Sequence, residues 1–214
     1  MALPSVPHPR PPAEQLDRCP SARRDRTLGD RVQRWYERDL GWTVAPGAPG
    51  AVVRLVTGLR FDVLELPAEA GFAALRHLRP KAPVALRGGT MRLFVAAGSA
   101  EELPGLLDWL QWGDIPLDLT AIGAGGLVDA PTPPGLPGSR GAAVWLRPPE
   151  PGHEVETTLP SLATLAPRAT DGSGTDPHSG SAAGSDLVRL VDTAATQCHR
   201  ARLRRATSQP LAFS

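Results

Sequence analysis

The chain has 214 residues with 23 Lys and Arg against 22 Asp and Glu, a formal net charge of +1. This excludes a protein built throughout to coat nucleic acid or an anionic membrane. The length suits one domain of about 150 residues plus tails, and that size buries a real core. Two cysteines, Cys19 and Cys198, stand far apart without Cys-x-x-Cys or Cys/His spacing, so neither a disulfide framework nor a zinc site is indicated and a reducing compartment is the default.

Residues 1–26, rich in Pro and Arg and without periodicity, read as a disordered arm. Pro4, Pro7, Pro9, Pro11 and Pro12 interrupt the apolar stretch that a signal peptide needs. No window approaches the roughly 20 apolar residues of a membrane span. The expectation is a cytoplasmic protein with no membrane association. A helix is predicted from Thr27, with Leu28, Val32, Trp35, Tyr36 and Leu40 at helical spacing and Gly41 as its stop. Strands follow at 51–56 and 59–66, then a helix over 68–79 with a stripe of Ala68, Phe72, Leu75 and Leu78. Strands are predicted at 83–86 and 90–97. Ser99 and Glu102 form a possible capping box for a helix that buries Leu103, Leu106, Leu107 and Leu110. Pro104 shifts its predicted start a few residues on.

Strands at 116–121, 126–130 and 142–147 complete the order, interrupted by the loop PTPPGLPGSRG over 131–141. Residues 167–185 read as a flexible linker of Gly, Ser and Pro. Residues 186–214 hold an isolated helix, about 186–205, and a tail. Its narrow stripe of Leu187, Val191, Ala194, Cys198 and Ala201 should dock either on the core or on an unknown protein partner. Residues 27–166 thus form the domain, an α+β fold whose helices cover a mixed or largely antiparallel sheet. Charge is uneven: residues 41–185 carry 10 Arg and Lys against 14 acids, while residues 186–214 carry 5 Arg against 2 acids. The core by itself therefore lacks a basic patch.

RVQRWYERDLGWTVAPG, FDVLELPAEAGFAAL, LRGGTMRLFV and LDLTAIGAGGLVDAPTPPG occur in this order over about residues 28 to 149. Together they resemble the N-terminal domain of bifunctional DNA primase/polymerases, the prim-pol branch of the archaeo-eukaryotic primase superfamily. The resemblance implies a primase/polymerase-like fold and a cleft where two divalent cations, Mg²⁺ or Mn²⁺, align a nucleotide triphosphate. Asp62 matches the first acid of the family's carboxylate pair, but the second acid's place, two residues on, is Leu64. Glu65 stands at i+3, which in an unbroken strand points to the opposite face; a bulge would be needed to bring it round. Gly88 and Gly89 match the glycines of the second motif, the histidine slot falls on Met91, and Arg92 is left as a possible phosphate contact. Asp118 matches the third acid, followed by Gly125 and Gly126.

Each residue also has a plainer role. Asp62 and Asp118 suit acids that cap a neighbouring amide, and Glu65 suits a solvent-facing position. The Gly-Gly pairs suit hairpin turns, and Trp109 and Trp112 suit packing at a helix end. The run HRARLRR over 199–205 serves equally as a phosphate contact or as positive charge at a helix C-terminus. Two readings follow from the resemblance. In one, the chain is an inactive prim-pol-like binding or regulatory module that needs no cofactor, its cleft holding a nucleotide weakly or nothing at all, with nucleic acid or nucleotide as a possible partner. In the other, it is an active DNA primase/polymerase using Asp62, Glu65 and Asp118, with Asp62 and Asp118 as metal ligands and Gly88, Gly89, Arg92, Gly125 and Gly126 at the nucleotide.

Overall fold

A computed structural model describes residues 28–162 and 182–207. The expected arm over 1–26 and most of the expected linker over 167–185 lie outside the described residues. The fold is α+β, with antiparallel sheets covered by helices. Five strands form the main sheet: β2 (Phe61–Pro67), β3 (Val84–Arg87), β4 (Thr90–Ala96), β5 (Thr120–Ile122) and β7 (Val144–Arg147). Their order is β5-β2-β4-β3-β7, and every pairing is antiparallel. A second sheet pairs β1 (Arg54–Val56) with β6 (Leu127–Asp129). The apolar runs predicted at 51–56 and 116–121 are longer than the strands they yield, because only their last residues find a ladder partner.

Both faces of the main sheet are covered, which is why β2 and β4 read as continuous apolar runs rather than alternating ones. Leu64 and Leu66 of β2 and Met91, Leu93 and Val95 of β4 enter one core. Phe61, Val63 and Phe94 enter the other. This second core is aromatic: Trp42 lies 4.4 Å from Phe61 and 5.6 Å from Phe94, ring centre to ring centre. It is closed by the first helix, α1 (residues 28–39), whose last turn, Trp35–Asp39, is a π-helix. Tyr36 is fully buried there and donates its hydroxyl to Pro131 O at 2.6 Å. Gly41 ends the helix as expected, at φ +66°.

The first core lies under three helices, and here the sequence misleads twice. In α2 (Ala68–Ala74), continued by a 3₁₀ turn at Leu75–His77, the buried residues are Ala70, Gly71 and Ala74, while Phe72 is 53% exposed. Small residues win because α2 lies close on β4: a Cβ at Gly71 would run into the Met91 side chain. In α3 (Ser99–Trp109) the helix starts at Ser99 despite Pro104, which stands on the exposed side. No capping box forms, because Gly98 is the N-cap at φ +90° and no side chain of the cap residue bonds the first turn.

The last helix, α4 (Ala182–Thr207), begins inside the segment expected to be linker. It is not isolated. Leu187, Leu190, Val191, Ala194 and Cys198 are 0–2% exposed within the first core. The stripe expected to dock on the core or on a partner is thus taken up by the core. Among the described residues no helix is long and apolar enough to cross a membrane.

Candidate functional site

The register of β2 against β4 is continuous from Phe61 opposite Ala96 to Pro67 opposite Thr90. No bulge intervenes, so Asp62 leaves β2 on the helical face with Leu64 and Leu66, and Glu65 leaves on the aromatic face with Phe61 and Val63. Asp62 is fully buried. Its Oδ2 accepts the Ala100 amide at 2.9 Å, so the carboxylate serves as the missing cap of α3. Its Oδ1 is buried without a protein partner. The Gly123 backbone packs against this corner: a Cβ there would come within 2.7 Å of Ala100 Cβ and 3.6 Å of Asp62 Oδ2.

Glu65 is not a solvent-face residue. Arg92, only 6% exposed, donates Nε–H to Glu65 Oε1 at 2.6 Å and Nη1–H to Asp129 O at 3.0 Å. Together with the ion pair between Arg87 and Asp129, this guanidinium ties the main sheet to β6. Arg92 was a candidate phosphate contact; its observed partners are a carboxylate and a carbonyl of the fold itself.

Asp118 precedes β5 and is half exposed. Arg205 of α4 reaches it at 3.0 Å and reaches Glu69 of α2 at 3.7 Å. These residues border an open cleft of about 750 Å³, lined also by Glu65, Gly89 and Thr120. The structure thus brings Glu65 and Asp118 to one space and leaves Asp62 outside its lining. Among the described residues no three His, Cys, Asp or Glu side chains converge as a set that could hold a metal ion.

The glycines serve turns. Gly88 and Gly89 are the two-residue connection of β3 and β4, closed by Arg87 opposite Thr90, with Gly88 at φ +56°. Gly125 adopts φ +72° between β5 and β6. At Gly126 a Cβ would come within 2.7 Å of Thr57 Oγ1, because the Thr57 hydroxyl donates to Gly123 O at 2.5 Å and its amide to Gly126 O at 3.0 Å.

Sequence reasoning missed Arg205 and Glu69 at the cleft. Arg205 lies far along the chain from Asp118, so no local spacing could announce it. Burial and the nearby Asp118 charge push the Cys198 thiol up to about 12, and the thiol donates to Asp118 O at 3.7 Å. It is a packed core group with no nucleophilic character. Comparison with protein-family models, with curated proteins and with solved structures finds no match.

Proposed function

We propose that the chain is a prim-pol-like module with a degenerate catalytic centre, acting in the cytoplasm as a binding or regulatory protein linked to nucleotide or DNA metabolism. One observation carries this reading: Asp62 and Glu65 leave opposite faces of an unbroken strand, and each is already engaged, Asp62 on the α3 amide and Glu65 on Arg92. A two-cation centre for phosphoryl transfer needs hard oxygen ligands that converge on one point. Carboxylates on opposite sides of a sheet do not converge. The cleft that Glu65 and Asp118 share is open, and Arg205 reaches Asp118 there at 3.0 Å.

The test is thermal melting of the full chain with and without Mn²⁺ and deoxynucleotide triphosphate, beside a primer-extension assay. A ligand that binds only the folded state raises the midpoint. The expected outcome is an unchanged midpoint at millimolar ligand and no extended product. A shift that Asp118→Asn abolishes, or extension that the same variant abolishes, would establish the active polymerase instead.

A further inference from the structure

The helices of the first core rest on three of the five strands: α2 on β2 and β4, α3 on β2 and β5, and α4 on β2. Beside them lies the helical face of β3 and β7. Leu86 of β3 packs at the margin of the first core, and Val144 of β7 stands opposite it in the ladder. Trp145 turns into the aromatic core, so its neighbour Val144 leaves on the helical face, where it is 48% exposed. The wall of this strip is α2. Ala70, Ala74 and then His77, which meets Thr193, follow one line towards α4. Phe72, two residues after Ala70, stands about half a turn round, on the side away from α4 and over β3.

The groove has the width of one helix. Two strands span about 10 Å, a helix with its side chains measures about 10–12 Å across, and a helix packed about 8–10 Å from α2 would lie over β3 and β7. Beside Val144 a hollow of about 410 Å³, lined in part by Pro134, Leu136 and Pro148, carries the apolar surface past the sheet edge. An added strand has no place there, because Thr132 already bridges Val144 and two prolines follow β7 at 148 and 149.

Charge says what kind of helix fits. Residues 70–100, which supply the outer side of α2 and all of β3, hold five Arg and Lys and no acid; residues 130–149, which supply β7, hold two Arg and no acid. Four of these seven bases meet an acid from elsewhere: Arg79 meets Asp186, Lys81 meets Glu150, Arg87 meets Asp129 and Arg92 meets Glu65. Arg76 donates to His77, and Arg147 to the carbonyls of Arg79 and Ala82, so among the described residues neither charge is offset by an acid. Arg140 is exposed just ahead of β7. Arg76 stands one turn after Phe72 on the same side of α2. We propose that this groove is the docking site for an amphipathic helix of a partner protein, with apolar anchors for Phe72 and Val144 and acids on its flanks. The most acidic of the chain's own helices, α3, exposes a single large apolar side chain, Trp109, so a second copy fits less well. The wall of α2 keeps a flat bilayer from Val144. Phe72, Leu86 and Val144 are not among the residues that line the cleft, and the proposal does not depend on how the cleft is read.

Fluorescence anisotropy of a labelled synthetic peptide of about 15 residues, titrated with the full chain, tests the proposal. The peptide carries Leu at i, i+3, i+4 and i+7, Glu on the flanks and Ala elsewhere; a second peptide has Lys in place of each Glu. The Glu peptide should bind, and the Lys peptide should bind at least about tenfold more weakly. Phe72→Asp and Val144→Asp should each weaken the Glu peptide about tenfold or more. These residues stand on different elements, so a folding defect in one variant leaves the other to decide. Arg76→Gln/Arg140→Gln should weaken the Glu peptide and flatten its salt dependence at an unchanged melting midpoint. No binding, equal binding of the two peptides, or binding indifferent to both Asp variants would overturn the proposal. Sedimentation of the chain alone should show a monomer; a dimer that Val144→Asp dissociates would give the groove to a second copy instead. Vesicles of phosphatidylserine and phosphatidylcholine should not bind, and vesicle binding lost in Val144→Asp would give it to a membrane.

Discussion

Asp62 holds its carboxylate against the first turn of α3, where orphan amides and the helix dipole favour negative charge. That contact satisfies Oδ2 and offsets part of the cost of burying an acid at this strand position, while Oδ1 has no protein partner. Asp62→Ala should destabilise the fold by about 1–2 kcal/mol through loss of the cap, read as a lower urea midpoint at unchanged slope. The loss should be the same with and without Mn²⁺; a metal-dependent difference would show that the carboxylate holds a cation. The opposite facing of Asp62 and Glu65 was legible in the sequence, because strand alternation fixes it. The partners of each were not, because Ala100 and Arg92 lie 38 and 27 residues away.

At the scale of elements, the seam between α2 and α4 turns on His77. Nε2 accepts from the Arg76 guanidinium, which can only donate, so the folded state holds the neutral ring. Burial, then the charges of Arg76 and Arg189, lower its pKa from the ordinary 6.5, against a smaller opposing pull from Asp186 and Asp192. Below 6.5 the unfolded chain therefore takes up a proton more readily than the fold. Stability should be constant above that pH and fall as the pH drops from 6.5 through the lowered value. Chemical denaturation between pH 7.5 and 5 should show this fall, and His77→Gln should flatten it. The existence of α2 was readable from sequence but its buried face was not: hydrophobicity favours Phe72, whereas close approach to Met91 and α4 favours Ala70, Gly71 and Ala74. Packing distance is a tertiary quantity that periodicity does not contain.

For the molecule as a whole, α4 completes the core. Leu190→Ala should cost about 2–5 kcal/mol, as for other fully buried leucines, and should unfold the entire domain in one transition rather than release the helix alone. In a Cys19→Ser background, Cys198 should resist Ellman's reagent at pH 8 until that transition, since its thiol is buried and its pKa stands near 12. Early labelling would show that α4 opens independently.

The sequence by itself determined the α+β class, the order of elements, the C-terminal end of α1 and the divergence of Asp62 from Glu65, because these follow from local periodicity, glycine punctuation and strand alternation. Tertiary structure alone decided that a stripe with the appearance of a detached helix is a wall of the core. It also decided that Arg92 and Arg205 face carboxylates, and that Phe72 stays outside. Each depends on which surfaces meet in space, and burial against a partner distant in the chain leaves no periodic trace near the residue that is buried.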